Sequence, residues 1–210
     1  MNTHTPARRF DHDAILTAAR EYAVAAHERV DQKRKYSNLP YYVHPAQTGL
    51  YVSQSMHNDA VTIAVARLHD VLEDTLREGQ STQDGADEML AWFTERLGDQ
   101  TIAQSIVAGV LEVTDVSVPS DGNRKVRKTL DAEHAGRATP ERKTVKLADI
   151  KSNFPSIVKN DPGFARKWVA EKAQVLPLLK GGDPALFDEV DRMIQLYFKR
   201  AFDPDAYDIV

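Results

Sequence analysis

Apolar and polar residues recur along this 210-residue chain with the three-to-four-residue step of amphipathic helices, and the pattern divides into segments of ordinary helix length. Ile15, Ala18, Ala19, Tyr22, Ala23 and Ala26 form the first stripe, with Asp11 or His12 as its cap and an end near Val30. His44-Pro45 predicts a second helix, with His44 at the cap and Ser55 near the end. Residues 61–75, VTIAVARLHDVLEDT, are apolar nearly all round before they finish in His69, Asp70, Glu73 and Asp74, which predicts one helix buried in the middle of the molecule. Residues 89–97 and 101–113 resume the period on either side of Gly98. Pro140 predicts the start of a helix that sets Asp149 and Asn153 one turn apart and stops before Pro155. Two closing helices follow over 162–179 and 184–201, separated by Gly181 and Gly182, with Trp168, Val190 and Ile194 among their core positions.

Two stretches lose the period and read as long polar loops: 77–88, REGQSTQDGADE, and 115–137, which carries Arg124, Lys125, Arg127 and Lys128. No stretch alternates as a strand does, so the expected fold is all-α, a single compact helical bundle with two long polar loops. The length suits one domain over 1–210, with a core over about 11–199 and polar tails at 1–10 and 202–210.

Composition narrows the function. Hydrophobic residues make up 42% and charged residues 28%, a globular balance, and no apolar run is long enough to span a bilayer. The formal net charge of -4 supplies no general attraction to nucleic acid. With no cysteine and no signal pattern in MNTHTPARRF, a cytoplasmic protein without disulfides or thiolate-bound zinc is expected.

Chemistry concentrates at the end of the buried segment. On a continuous helix, His69 lies over Glu73 and Asp70 over Asp74, within a wedge of roughly 140°. Three carboxylates and an imidazole buried together repel one another or lose solvation unless a cation joins them. His-Asp alone carries little weight, since His12-Asp13 repeats it. The informative string is His-Asp-x-x-Glu-Asp on a buried helix.

Taken with His44-Pro45 and Val145-Lys146-Leu147-Ala148-Asp149, the string His69-Asp70-Val71-Leu72-Glu73-Asp74-Thr75 resembles the HD-superfamily phosphohydrolases. Within them the chain looks most like the RelA/SpoT-type (p)ppGpp hydrolase domains, particularly the small stand-alone alarmone hydrolases. The likeness implies an HD-domain fold and makes His44, His69, Asp70 and Asp149 the ligands of one divalent ion, usually manganese. It makes Glu73 and Asp74 the pair that positions and activates water, and Arg34, Lys35 and Asn153 the nucleotide contacts. The implied reaction removes the 3'-pyrophosphate of ppGpp or pppGpp, giving GDP or GTP and pyrophosphate. The partner is then a small phosphorylated nucleotide, with no nucleic acid, membrane or particular protein partner implied. The chain departs from the long bifunctional enzymes after Asp149, where Ile150, Lys151 and Ser152 precede Asn153. Other phosphorylated substrates stay open on that account: an adenine alarmone, the 2'-phosphate of NADPH, or a nucleoside monophosphate. So does a non-catalytic nucleotide-binding module. A mixed nitrogen and oxygen donor set suits manganese and related divalent ions.

Overall fold

Small apolar side chains decide how closely the first helix can approach its neighbours. The computed structural model describes residues 12–202, with nothing of the Phe202 side chain; the predicted tail at 1–10, Asp11 and residues 203–210 lie outside them. Helix α1 (His12–Arg29) buries Ile15, Ala18, Ala19, Ala23 and Ala26 along one face, and this short-chained surface packs directly on α3 (Ala60–Leu68). Between them in sequence, α2 (Val43–Ser53) packs on the same α3. Asp59 caps α3 by accepting from the Thr62 amide at 3.0 Å. The α3 residues Ile63, Ala64, Val65, Ala66 and Leu68 are all buried, with α1, α2, α6 (Gln100–Val113) and α8 (Pro140–Asn160) around them. Truncating a fully enclosed side chain such as Leu68 to alanine costs about 2–5 kcal/mol.

Further along, α5 (Thr82–Leu97) ends at Gly98, whose φ of 64° is the left-handed conformation that closes a helix, and Asp99 caps α6. Helices α7 (Arg124–Arg137), α9 (Pro162–Val175) and α10 (Pro184–Phe202) complete the bundle, α9 running on into a 3-10 turn at Leu176–Leu179. Buried apolar residues from α1 through α10 form one contiguous core, and no strand occurs among the described residues. No helix among them is long and apolar enough to cross a membrane.

Four sequence expectations need correction. The buried segment is not one helix: α3 stops at Leu68, His69 and Asp70 form a turn, and a short helix α4 (Val71–Asp74) follows. In an unbroken helix consecutive side chains diverge by about 100°. The turn instead lets His69 and Asp70 face the same point. The His69 ring reinforces it, since its Nδ1 lies 2.8 Å from the Ala66 carbonyl that a continuing helix would offer to the amide of Asp70.

His44 is not a cap. Tyr42 occupies that place, already helical at φ -56°, and His44 sits within the first turn of α2, fully buried. Pro45 is harmless one place later, because the first amides of a helix have no intrahelical acceptor.

The two long polar loops are largely helical. Thr82 begins α5 behind a capping box formed by Ser81 and Asp84, leaving only about 76–81 as a connection. In the second stretch, a 3-10 turn at Pro119–Asp121 leads to α7, capped by Asn123. The buried face of α7 consists of Asp131, Ala132 and Ala135, too small and too polar to register as a hydrophobic stripe. Asp131 accepts from the amides of Val116 and Ser117 and so fastens the preceding connection to the helix.

Finally, α8 continues through Pro155 to Asn160. The proline removes the hydrogen bond to the Lys151 carbonyl, but Pro155 is exposed, while Phe154 and Ile157 keep the helix docked on the core.

Candidate functional site

The α2 helix, the turn after α3 and the middle of α8 each bring a polar side chain to one buried point. One ligand atom from each of His44, His69 and Asp70 lies within 4.8 Å of the others. Asp149 completes the group: its Oδ1 is 3.1 Å from Nε2 of His44 and 3.5 Å from Nε2 of His69. Asp70 Oδ2 is 3.4 Å and 3.1 Å from the same two nitrogens.

Hydrogen bonds behind the rings determine which nitrogen faces this point. Ser152 gives its hydroxyl hydrogen to Oε1 of Gln47 at 2.9 Å, so it can only accept from Nδ1 of His44 at 2.8 Å. His69 likewise donates its Nδ1 hydrogen to the Ala66 carbonyl. Nε2 of each ring is therefore the nitrogen that faces the two carboxylates, and among the described residues the buried Nε2 of His69 has no hydrogen-bond partner. Burial alone would lower both imidazoles, but Asp149 and Asp70 outweigh it and raise them, His69 well above its ordinary value. Burial likewise works against ionising Asp70 and Asp149; the imidazoles prevail and hold both carboxyls well below the usual range. Two imidazole lone pairs and two carboxylates sharing one enclosed point fit a divalent cation.

The carboxylates are oriented from behind as well. Tyr41 donates its hydroxyl to Oδ2 of Asp70 at 2.8 Å. Asn153 donates to Oδ1 of Asp149 at 2.7 Å, and its own Oδ1 accepts from Arg34 at 2.9 Å.

Glu73 and Asp74 reach the solvent beside this group. Glu73 Oε1 accepts from the amide of Asp115 at 2.8 Å. Protein crowded around the carboxyl pushes its pKa up to about 7, with Lys146 pulling the other way and Asp115 and Asp70 adding to the rise. Asp74 is raised too, by burial and then by Asp70, while a hydrogen bond from Gln32 opposes the rise. Lys146 donates to the Val113 carbonyl at 2.9 Å and lies 3.6 Å from Asp115. Burial works against its charge, yet Asp115, Glu73, Asp149 and Asp70 raise its pKa.

The structure thus gathers His44, His69, Asp70 and Asp149, with Glu73, Asp74, Arg34 and Asn153 around them. Lys35 stands apart. Its ammonium is paired with Asp161 at 3.0 Å and lies 5.8 Å from the centre of the Phe164 ring. Of the basic residues at 124–128, Arg124 makes a two-pronged pair with Glu171 at 2.7 and 2.8 Å, and Lys128 bridges Asp115 and Asp131.

Several contributors escaped the sequence reading. Tyr41 and Lys146 precede His44 and Asp149 by three residues each, a spacing that could have drawn attention to them. Ser152 and Gln32 carry no such signal; only tertiary packing brings them in. A cavity of about 520 Å³ adjoins the group, walled by α7, α8 and α9, with Lys146 and Ile150 on α8 flanking Asp149.

No known family profile matches the chain. It is 27% identical over 197 residues to the GTP pyrophosphokinase rsh of Brucella melitensis biotype 1, covering 93% of this chain and 24% of that protein. The corresponding protein of Brucella ovis is 25% identical over the same span. The chain therefore spans about a quarter of the length of these relatives. Among solved structures, one described as a metazoan ortholog of SpoT that hydrolyzes ppGpp matches with a TM-score of 0.69 at 25% identity, over 88% of this chain and 96% of that one. The helical arrangement described above is the fold of that structure.

Proposed function

We infer that this chain, a helical HD-type relative of the RelA/SpoT proteins, is a metal-dependent hydrolase that releases pyrophosphate from the 3' position of ppGpp or pppGpp. The observation that carries the reading is the convergence of His44, His69, Asp70 and Asp149 on one buried point with Glu73 and Asp74 beside it. Its scale matches the SpoT ortholog, which this chain covers almost end to end and which is reported to hydrolyze ppGpp.

In this reading the four converging side chains hold one divalent cation, manganese by preference for their mixed donors. When bound, the cation stabilises negative charge on the phosphoryl oxygens and makes water available as a nucleophile near neutral pH. The protein supplies the remainder. Glu73, in its ionised form, takes the proton from the attacking water, and its bond to the Asp115 amide keeps one carboxylate oxygen directed. Asp74, steadied by Gln32, orients that water. Arg34 and Asn153 give the substrate donors next to the scissile phosphates, and Lys35 exchanges Asp161 for an outlying phosphate.

The test is a product assay with purified protein, manganese and ppGpp. Release of GDP and pyrophosphate is expected. Turnover of other phosphorylated nucleotides with none of ppGpp removes the substrate assignment, and loss of no activity in Glu73→Gln removes the role of Glu73.

A further inference from the structure

A second cavity, of about 540 Å³, lies between α1 and α2 and shares no lining residue with the one beside the candidate metal centre. Arg20, Ala23 and Val24 line it from α1, Tyr42, Pro45 and Ala46 from the start of α2, and Arg67 from α3. Arg67 is fitted there by the backbone it crosses. A Cβ on Gly49 of α2 would stand 2.9 Å from its Cγ and 3.3 Å from its Nε, so the bare glycine gives the side chain its place. Nη1 donates to the Leu16 carbonyl at 2.9 Å, whereas the buried Nε has no hydrogen-bond partner among the described residues. Arg20 is exposed and has neither an ion pair nor a hydrogen bond among them. Burial lowers the pKa of Arg67, and the like charge of Arg20 lowers it further, with no carboxylate acting the other way.

Two acidic residues share these walls, and neither answers the arginines. Glu21 is taken up by Arg96 at 3.0 Å, and Glu28 stands two turns beyond Arg20, about 12 Å along the axis of α1. Two guanidinium groups that repel each other across a cavity, with donors left over, are suited to an anion that can accept from both. A phosphate monoester, with about 1.5 to 2 negative charges at pH 7, matches the pair, while a carboxylate carries one charge. Ala23, Val24, Pro45 and Ala46 are apolar, Tyr42 adds a ring, and the volume exceeds what a bare ion occupies, so the anion should carry an apolar body.

We propose that this cavity is a second binding site, separate from the candidate metal centre, for a small organic phosphate whose head group joins Arg20 to Arg67 and whose apolar body lies against Tyr42 and Pro45. The site backs onto the segments that hold two candidate ligands, since Pro45 follows His44 directly and Arg67 precedes His69 by two residues. It does not depend on what the metal centre hydrolyses.

The test is a titration of the full chain with phenyl phosphate, followed by nitrogen-15 NMR with diamagnetic magnesium present. Saturable shifts are expected at the amides of Val24, Ala46 and Arg67 and at the Nε–H of Arg67. Arg20→Met and Arg67→Met, which retain side-chain length and remove the charge, should each weaken binding about tenfold. Benzoate, with the same ring and a carboxylate head, should bind more weakly than phenyl phosphate. No saturable shift at these positions overturns the proposal, as do shifts confined to the surroundings of Asp70 and Asp149, or benzoate binding as tightly as phenyl phosphate. Unchanged affinity in Arg20→Met overturns it too, and this variant decides the matter if Arg67→Met melts below wild type, because the exposed Arg20 side chain holds nothing in place. Failure of ppGpp hydrolysis would leave these binding results standing, so the two readings fall separately.

Discussion

The side-chain amide of Gln32 donates to Oδ2 of Asp74 at 2.8 Å, joining the segment after α1 to the end of α4. An amide can be turned either way, and the buried His27 ring selects the orientation. Its Nδ1 lies 2.6 Å from Oε1 of Gln32, and the ring is kept neutral chiefly by burial. As the donor, Nδ1 commits Oε1 and leaves Nε2 of Gln32 for Asp74.

The expected consequence is a loss of turnover without a loss of binding. Gln32→Ala should lower kcat for pyrophosphate release about 10- to 100-fold, the range for a displaced acid-base group, with KM little changed. His27→Asn puts an amide nitrogen near the place of Nδ1 and should retain most activity, whereas His27→Phe should behave like Gln32→Ala. Steady-state kinetics check this; full activity in His27→Phe would remove the relay.

Loss of any of His44, His69, Asp70 or Asp149 should abolish stoichiometric binding of manganese, measured by metal analysis after dialysis. Ser152→Ala should weaken it less, about 10- to 100-fold, because it frees the His44 ring to turn while leaving the ligand present. Metal content independent of all five residues would place the cation elsewhere.

Glu73 provides a prediction about pH. Its pKa in the folded protein, about 7, lies above the ordinary 4.5 of a glutamate, so the folded state favours the protonated form. Stability of the metal-free protein should therefore fall as pH rises from 4.5 through 7, and Glu73→Gln, which cannot ionise, should escape that loss. The variant should melt above wild type at pH 8 and level with it near pH 4 in chelator. Calorimetry at the two values decides it; a gap that is constant across the range contradicts the assignment. In activity, Glu73 must be ionised to accept a proton, so the same group gives wild type an acid limb that Glu73→Gln lacks.

Replacing Lys146 with methionine should remove the cation that opposes the rise in Glu73 and holds Asp115 at about 2. Losing its half-buried ion pair with Asp115 and its bond to the Val113 carbonyl should destabilise the fold, which denaturant unfolding would register. The acid limb of the pH-rate profile should also move to higher pH. A stable variant with an unmoved limb would show that Lys146 does not act on Glu73.

Helical content was legible because one face of most elements is apolar at helical spacing, as in α1 and α6. Helix α7 was not, since its docked face is built from Asp131, Ala132 and Ala135, and polar or small residues leave no periodic trace. The continuation of α8 past Pro155 was hidden for another reason: whether a missing hydrogen bond matters depends on which face meets water.

The candidate ligands could be named from the chain because His44-Pro45, His69-Asp70-x-x-Glu73-Asp74 and Lys146-Leu147-Ala148-Asp149, in that order, resemble the motifs of the HD-superfamily phosphohydrolases. Their identities and the all-helical character belong to local sequence. What only the folded molecule decided is their geometry: the turn at His69 and Asp70, and the nitrogens selected by Ser152 and the Ala66 carbonyl. The His69 turn is closed locally by a contact to Ala66 that no hydrophobic period encodes, and the bond from His44 to Ser152 joins segments 108 residues apart, which no local pattern can record.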